Sequence, residues 1–384
     1  MQSILKIAVF ASVALFSMSF SPTTKGKKVK KTSPTITLRS PKNLQETNPL
    51  LAKWDGAFNG TPPFDKVKIA DFKPAFEAAM AENSAEIDKI ASNAEAPTFE
   101  NTILAMERTG RTLSRVRSVY DIWSSNMNSP EFEPVENEME PKLAGFYDKI
   151  MQNPLIYKRI ETVYNSPAKK KLNAEQQRLT WRYYMNFVLA GAKLDVATKD
   201  KVSVINQKLA GFFTKFSQNL LADEKDNFVE IKKEADLDGL PAGLKDAAAA
   251  AAAARNMKGS WVISNTRSSI DPFLTYCNTR ELREKAWRMF VNRGDNGDAH
   301  DNNAVITDIL QLRAERAKLL GYATHAHWRL DNTMAKTPEA AMKLMESVWK
   351  PAVARVKEEV ADMQKLADKE GAKLTIEPWD YRYY

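Results

Sequence analysis

At 384 residues the chain is too long for one simple core, so two or three packed units are expected. Apolar content of 43% and charged content of 27% are ordinary for a soluble globular protein. The formal net charge of +8 hints at nucleic acid, but Lys6, Lys25, Lys27, Lys28, Lys30 and Lys31 all precede the first acidic residue, Glu46; without those six only +2 remains, which argues against nucleic-acid binding by the folded part.

Residues 1–21 read as an export signal. Lys6 gives a modest positive start, residues 7–16 are apolar, and Ser17, Ser19 and Ser21 are small. A run of about ten residues is too short to cross a bilayer, which needs about twenty. Residues 22–47 are rich in Lys, Ser, Thr and Pro without helical period and form a linker. The one thiol, Cys277, lies in FLTYCNTR and is expected in a core rather than as a nucleophile or disulfide partner.

Order is expected from Asn48 onward, in two parts: an N-terminal helical domain over 48–258 and a second part over 259–384. Phe72, Phe76, Met80, Ile87 and Ile90 recur at spacings of four, four, seven and three and mark one helix face. A second helix is predicted from Thr98, with Leu113, Val116, Tyr120 and Trp123 buried and Arg108, Arg111, Arg115 and Arg117 mostly on a solvated side. Pro130, Pro134 and Pro141 punctuate the approach to a third helix around 143–150. EQQRLTWRYYMNFVLAGAKL, at 175–194, is aromatic-rich and helical in period, more fitting for packing between helices than for lining a channel. Ile205, Leu209, Phe212, Phe216 and Leu220 predict a helix over 201–221, and the eight alanines at 247–254 propagate another without naming its partner.

The pattern changes at Gly259. Residues 260–264 and 272–277 read as extended pieces of a small hairpin or irregular ribbon. Helical period resumes at Thr279 and again from Asn303 to Leu320, where Gly321 sits at a C-terminal cap position. Thr337-Pro338-Glu339 opens a long helix toward Lys369, bent at Pro351 and closed by Gly371. The last residues, EPWDYRYY, hold rings that want a partner, and truncation of a longer chain is the simplest expectation. The fold class is mostly α with a small β hairpin.

Chemistry-bearing motifs are scarce. The histidines are His300, His325 and His327; none heads an HExxH zinc helix. His325-Ala-His327 would point to nearly opposite sides of a helix, and no Asp, Glu or Cys stands near at ligand spacing. GDNGDAHDNN around His300 does not keep the order of a calcium loop, and neither a phosphate-cradling loop nor a Gly-x-Ser-x-Gly elbow occurs. No catalytic, cofactor-binding or metal-ligating residue is assigned.

Eight segments nevertheless carry a resemblance. They are NPLL at 48–51, PPFDKVKIADFKPAFEAAM at 62–80, APTFENTILAMERTGRTLSRVRSVY at 96–120 and FVLAGAKL at 187–194. TRELREKAW at 279–287, LLGYATHAHW at 319–328, MAKTPEAA at 334–341 and PWDYRYY at 378–384 follow in order. Together they resemble the bacterial peptidyl-dipeptidases, among the thimet oligopeptidase-like zinc metallopeptidases. The resemblance implies a two-lobed helical shell around a deep channel, with zinc held by an HExxH helix and a later glutamate. It implies release of C-terminal dipeptides from short peptides; the leader at 1–21 adds the expectation of a periplasmic or secreted protein, and a monomer is expected. The family's catalytic residues lie beyond the segment matching PWDYRYY, so the chain is expected to be an N-terminal portion, inactive by itself. Two alternatives stand beside it: an internal-cleaving oligopeptidase of the same family, and a non-catalytic helical protein that binds peptides or a partner.

Overall fold

The computed structural model describes residues 47–384. The predicted export signal (1–21), and the predicted linker up to residue 46, lie outside the described residues.

The first layer is built by helices α1 (Ile69–Ala91), α2 (Arg111–Asn126) and α3 (Glu133–Met151). The stripe on α1 packs as its spacing requires: Phe72 and Phe76 are fully buried against Tyr120, Trp123 and Phe132. The rings meet edge to face, with the Phe72–Phe132 centroids 5.3 Å apart and Phe76–Tyr120 5.1 Å. Each such burial contributes roughly 1.5–3 kcal/mol, which fixes α1 against α2.

Two expectations for this region need correction. The segment from Thr98 does not run as one helix: Thr98 caps a single wide turn, Phe99–Leu104, extended by Ala105–Glu107, and the chain breaks at Gly110 before α2 begins. Gly110 has φ +69°, and a Cβ there would sit 3.2 Å from the Asn83 amide. Its N–H donates to Glu86 Oε2 at 2.7 Å. Arg115, in turn, is not on a solvated face. Its Nη2 donates to the carbonyls of Leu50, Leu51 and Ala52, and its guanidinium lies over the Trp54 ring, pinning the incoming chain to α2.

Helices α4 (Pro154–Asn165) and α5 (Ala174–Leu189) follow, with Ile156, Ile160, Val163 and Phe187 sharing a second cluster with Ile87, Phe99 and Ile103. Here the aromatic segment packs as expected, Tyr184 stacking on Tyr164 with centroids 4.0 Å apart. Helix α6 (Val196–Asp226) is longer than its apolar period suggests and lies between α3 and the later helix α10 (Asn303–Leu319). Ile205 and Leu209 meet Val305 and Ile309 there.

The sheet has two strands among the described residues, β1 (Phe228–Ile231) and β2 (Trp261–Ser264), antiparallel with Phe228 opposite Ser264 and Ile231 opposite Trp261. They are joined through helix α7 (Ala242–Ala254), the alanine run, whose Ala248 and Ala252 are buried. Its small side chains let it lie close against β2. Residues 272–276 are not extended, contrary to expectation. They belong to α8 (Arg267–Tyr276), where Ile270, Phe273 and Leu274 share the i, i+3, i+4 face that is buried, and only the C-cap Cys277 is extended. After α8 comes α9 (Arg280–Val291).

The stretch after α10 follows its local signals. Gly321, at φ +84°, donates to the Lys318 carbonyl while Tyr322 N–H reaches Ala317, closing α10 as a Schellman cap. Thr324 caps the short helix α11 (His325–Leu330), and Thr337 caps α12 (Pro338–Lys369), accepting from Ala340 N–H at 3.2 Å. Only Ala367 is buried on the 32 residues of α12, and Met342, Met345, Val348 and Trp349 face solvent. No described helix is long and apolar enough to cross a membrane.

The closing rings find partners among the described residues. Trp379 is buried and meets Trp287 at 5.7 Å, Tyr381 donates to Glu359 at 2.6 Å, and Tyr383 donates to Asn278 at 3.0 Å. The anchor beneath them is Asp380. Its buried carboxylate accepts from Arg280 Nη2 and Arg283 Nη2, both at 2.8 Å.

Candidate functional site

Helices α2, α3, α5 and α6, with the α10–α11 corner, enclose three adjoining cavities. One of about 850 Å³ is lined by Arg117, Asp121, Tyr147, Arg182 and Tyr183. A second, of about 570 Å³, is lined by Arg117, Glu136, Glu140, Phe213 and Leu221. The third, about 300 Å³, is lined by Tyr147, Asp148, Phe213, Arg316 and Trp328. Arg117, Tyr147 and Phe213 each border two of them, so the three read as one indented wall. Tyr147 (43% exposed), Phe213 (41%) and Leu221 (39%) leave apolar surface along it. Indented, partly apolar surface with a few fixed polar groups is the usual form of a ligand site.

Charge on this wall is arranged by long-range packing. Arg117 reaches Asp121 at 2.7 Å and Glu140 at 2.9 Å. Burial alone would lower its pKa, but Glu140 and Asp121 outweigh that and raise it. Glu136 is buried yet satisfied, accepting from Ser124, from Asn128 at 3.0 Å and from Gln218 at 3.0 Å. At the other end Asn206 bridges two ionisable groups: its Nδ2 donates to Asp148 at 2.8 Å, and its Oδ1 accepts from Arg316 at 2.7 Å. Burial pushes the Asp148 carboxyl up, and its Oδ2 has no hydrogen-bond partner. Burial, then Arg313 and Arg329, lowers Arg316 to about 10. Trp328 Nε1 donates to the Leu189 carbonyl at 2.9 Å, so this corner ties α3, α5, α6, α10 and α11 together.

The histidines singled out in the sequence do not converge. His325 and His327 stand two apart on the first turn of α11. His325 is lowered to about 4, by burial first and then by Arg316, Arg313 and Arg329. His327 Nδ1 is engaged with Thr324 Oγ1 at 2.8 Å. The acidic loop before α10 caps itself: Asp301 accepts from Gly297 N–H at 2.9 Å and Asn303 N–H at 2.8 Å, while Asp223 accepts from Asn296 at 3.0 Å. Cys277 is fully buried, and burial raises its thiol. Zinc does not fit the residues present. Among the described residues no group of three or more His, Cys, Asp or Glu could hold a metal ion, and His325 is faced by three guanidiniums that would repel a cation. The wall itself escaped sequence reasoning because Asp148, Asn206 and Arg316 are separated by 58 and 110 residues along the chain.

The described chain is mostly helical, with an indented wall and a small two-stranded sheet. Residues 273–384 match the sequence pattern of Peptidase family M3. The chain is 33% identical to the dipeptidyl carboxypeptidase of Escherichia coli (strain K12) over 349 residues, covering 91% of this chain and 50% of that protein. It is 32% identical to the Salmonella typhimurium dipeptidyl carboxypeptidase, covering 88% and 50%, and 27% identical to oligopeptidase A of Escherichia coli, covering 88% and 49%. The chain belongs to peptidase family M3. It spans about half the length of the curated relatives it matches.

Proposed function

We propose that this chain forms the N-terminal part of a zinc-dependent M3 peptidase that releases dipeptides from the C-terminus of short peptides. The observation that carries the reading is the 33% identity with a dipeptidyl carboxypeptidase over 91% of the chain. The indented wall supports it, since hollows of about 850 Å³ and 570 Å³ are of the size ligand sites have. Identity with oligopeptidase A is lower, which favours dipeptide release over internal cleavage. Zinc and the groups that act on the scissile carbonyl belong to sequence outside these residues, so no catalytic or metal position is assigned here. The chain by itself would bind peptide without cleaving it.

The test begins with the coding sequence past Tyr384. A frame that continues into an HExxH helix is expected, and the extended protein should shorten a defined octapeptide two residues at a time from its C-terminus. A stop codon directly after Tyr384, or internal cleavage by the extended protein, would refute this reading. Export to the periplasm or beyond rests on residues 1–21; mass spectrometry of the mature N-terminus checks it, and an intact Met1 would count against it.

A further inference from the structure

Helix α3 carries a second indented face behind the wall. Lys142, Gly145, Phe146, Lys149 and Ile150 recur at the i, i+3, i+4, i+7, i+8 spacing of one helix face, turned away from Glu136, Glu140, Ala144 and Asp148 on the wall. With α1 and α6 they border a cavity of about 660 Å³, within the range of ligand sites. It lies where two packed clusters meet. Met80 and Phe146 lie at the margin of the first, Ile87 and Ile150 belong to the second, and together they leave the cavity an apolar floor. Gly145 lets α6 come close: a Cβ there would sit 3.1 Å from Gln207 Cδ, and the Gln207 amide borders the cavity.

The rim is charged. Lys142 is engaged, with Glu77 at 3.2 Å and Glu138 at 2.7 Å. Asp88 on α1 and Lys149 on α3 are exposed, and among the described residues neither is in an ion pair within 4 Å, with the other or with any third group. Two unlike charges thus border one cavity without closing on each other.

We propose that this cavity is a second ligand site, taking a small zwitterion with an apolar side chain: its ammonium on Asp88, its carboxylate on Lys149 and its apolar group on Met80, Phe146 and Ile150. A bare anion would meet Asp88 and a bare cation Lys149, while an uncharged apolar molecule would leave both unanswered. Two sources share this chemistry, a free apolar amino acid and an apolar dipeptide, whose peptide group Gln207 can meet. The proposal stands whether or not the wall takes peptide.

Calorimetric titration of the full chain with leucyl-leucine, leucine and N-acetyl-leucyl-leucinamide tests it. Leucyl-leucine should bind once per chain. The blocked peptide, which lacks both charges, should bind about tenfold more weakly, since each exposed pair is worth about threefold. D88N and K149Q should each cost leucyl-leucine about threefold and leave the blocked peptide unchanged. S84W, on α1 at the cavity's edge, should fill it and remove binding. All three positions are exposed, so the variants should keep the parent's thermal midpoint; if S84W does not, D88N and K149Q decide. Leucine binding as tightly as leucyl-leucine assigns the site to an amino acid, and weaker binding assigns it to a dipeptide; both support it. Equal binding of the blocked and free dipeptides overturns the proposal, as does leucyl-leucine affinity unchanged in either D88N or K149Q. Binding that persists in a folded S84W places the dipeptide elsewhere and overturns it too, and so does the absence of binding by all three compounds at millimolar concentration.

Discussion

Replacing Asp380 with alanine removes the carboxylate at the centre of the segment that closes the chain. Both its partners come from α9, about a hundred residues earlier. Arg280 is 31% exposed in its side chain and can recover water, so its pairing contributes about 1 kcal/mol or less. Arg283 is different: its side chain is 2% exposed, and its remaining bonds go to the Cys277 and Asn278 carbonyls. Stripping the partner from a buried charge costs about 3–5 kcal/mol, so D380A is expected to lose about 4 kcal/mol. At a urea dependence of roughly 3 kcal/mol/M, the unfolding midpoint followed by far-UV circular dichroism should fall by more than 1 M. R283M/D380L, which removes both buried charges, should regain most of that loss. A D380A midpoint within about 0.3 M of the parent, or a double variant as unstable as the single one, would show that Arg283 is not held by this carboxylate.

Acidification should act through His325. Its folded pKa of about 4 lies below the unfolded value of about 6.5, so the unfolded chain binds the extra proton and stability falls as pH drops from about 6.5 to 4. The half-buried ring keeps much of its hydration, which brings the expected loss down to about 1 kcal/mol; H325Q should flatten urea midpoints measured across that window, and an unchanged slope would contradict the burial argument. Below that range Asp380 takes over. Burial alone would raise its pKa, but the Arg280 and Arg283 hydrogen bonds win and lower it, so its contribution is present above the ordinary carboxyl pKa and lost as pH falls through the folded value. G110A should cost about 1–2 kcal/mol, because a side chain there must adopt a left-handed backbone and press on Asn83; a thermal midpoint equal to the parent's would mean the break before α2 tolerates other geometries.

Local signals were legible and distant ones were not. The stripe on α1, the Thr337 cap and the Gly321 and Gly371 stops depend on residues a few positions apart, and the structure follows them. Residues 272–277 misled because a run of Pro, Phe, Leu, Thr, Tyr and Cys has strand composition, whereas its helical face becomes visible only once Ile270 is counted. β1 was missed because four residues give too short an alternation, though Val229 and Ile231 do point inward. Arg115 reads as a solvated helix position until the carbonyls of residues 50–52 arrive from elsewhere. The wall suffers the same limit. Its charges are set by pairs such as Glu136 with Gln218, 82 residues apart, whereas family membership was legible because eight short segments keep their order.

Helix α12 is a rod of roughly 48 Å by its residue count, and Met342, Met345, Trp349 and Val356 sit along it at heptad-like steps in contact with water. Such a seam is sticky in dilute buffer, and copies of the chain will cling to one another through it as the solution is concentrated. Light scattering across a dilution series is therefore the first thing to run on the purified material, before any titration is interpreted.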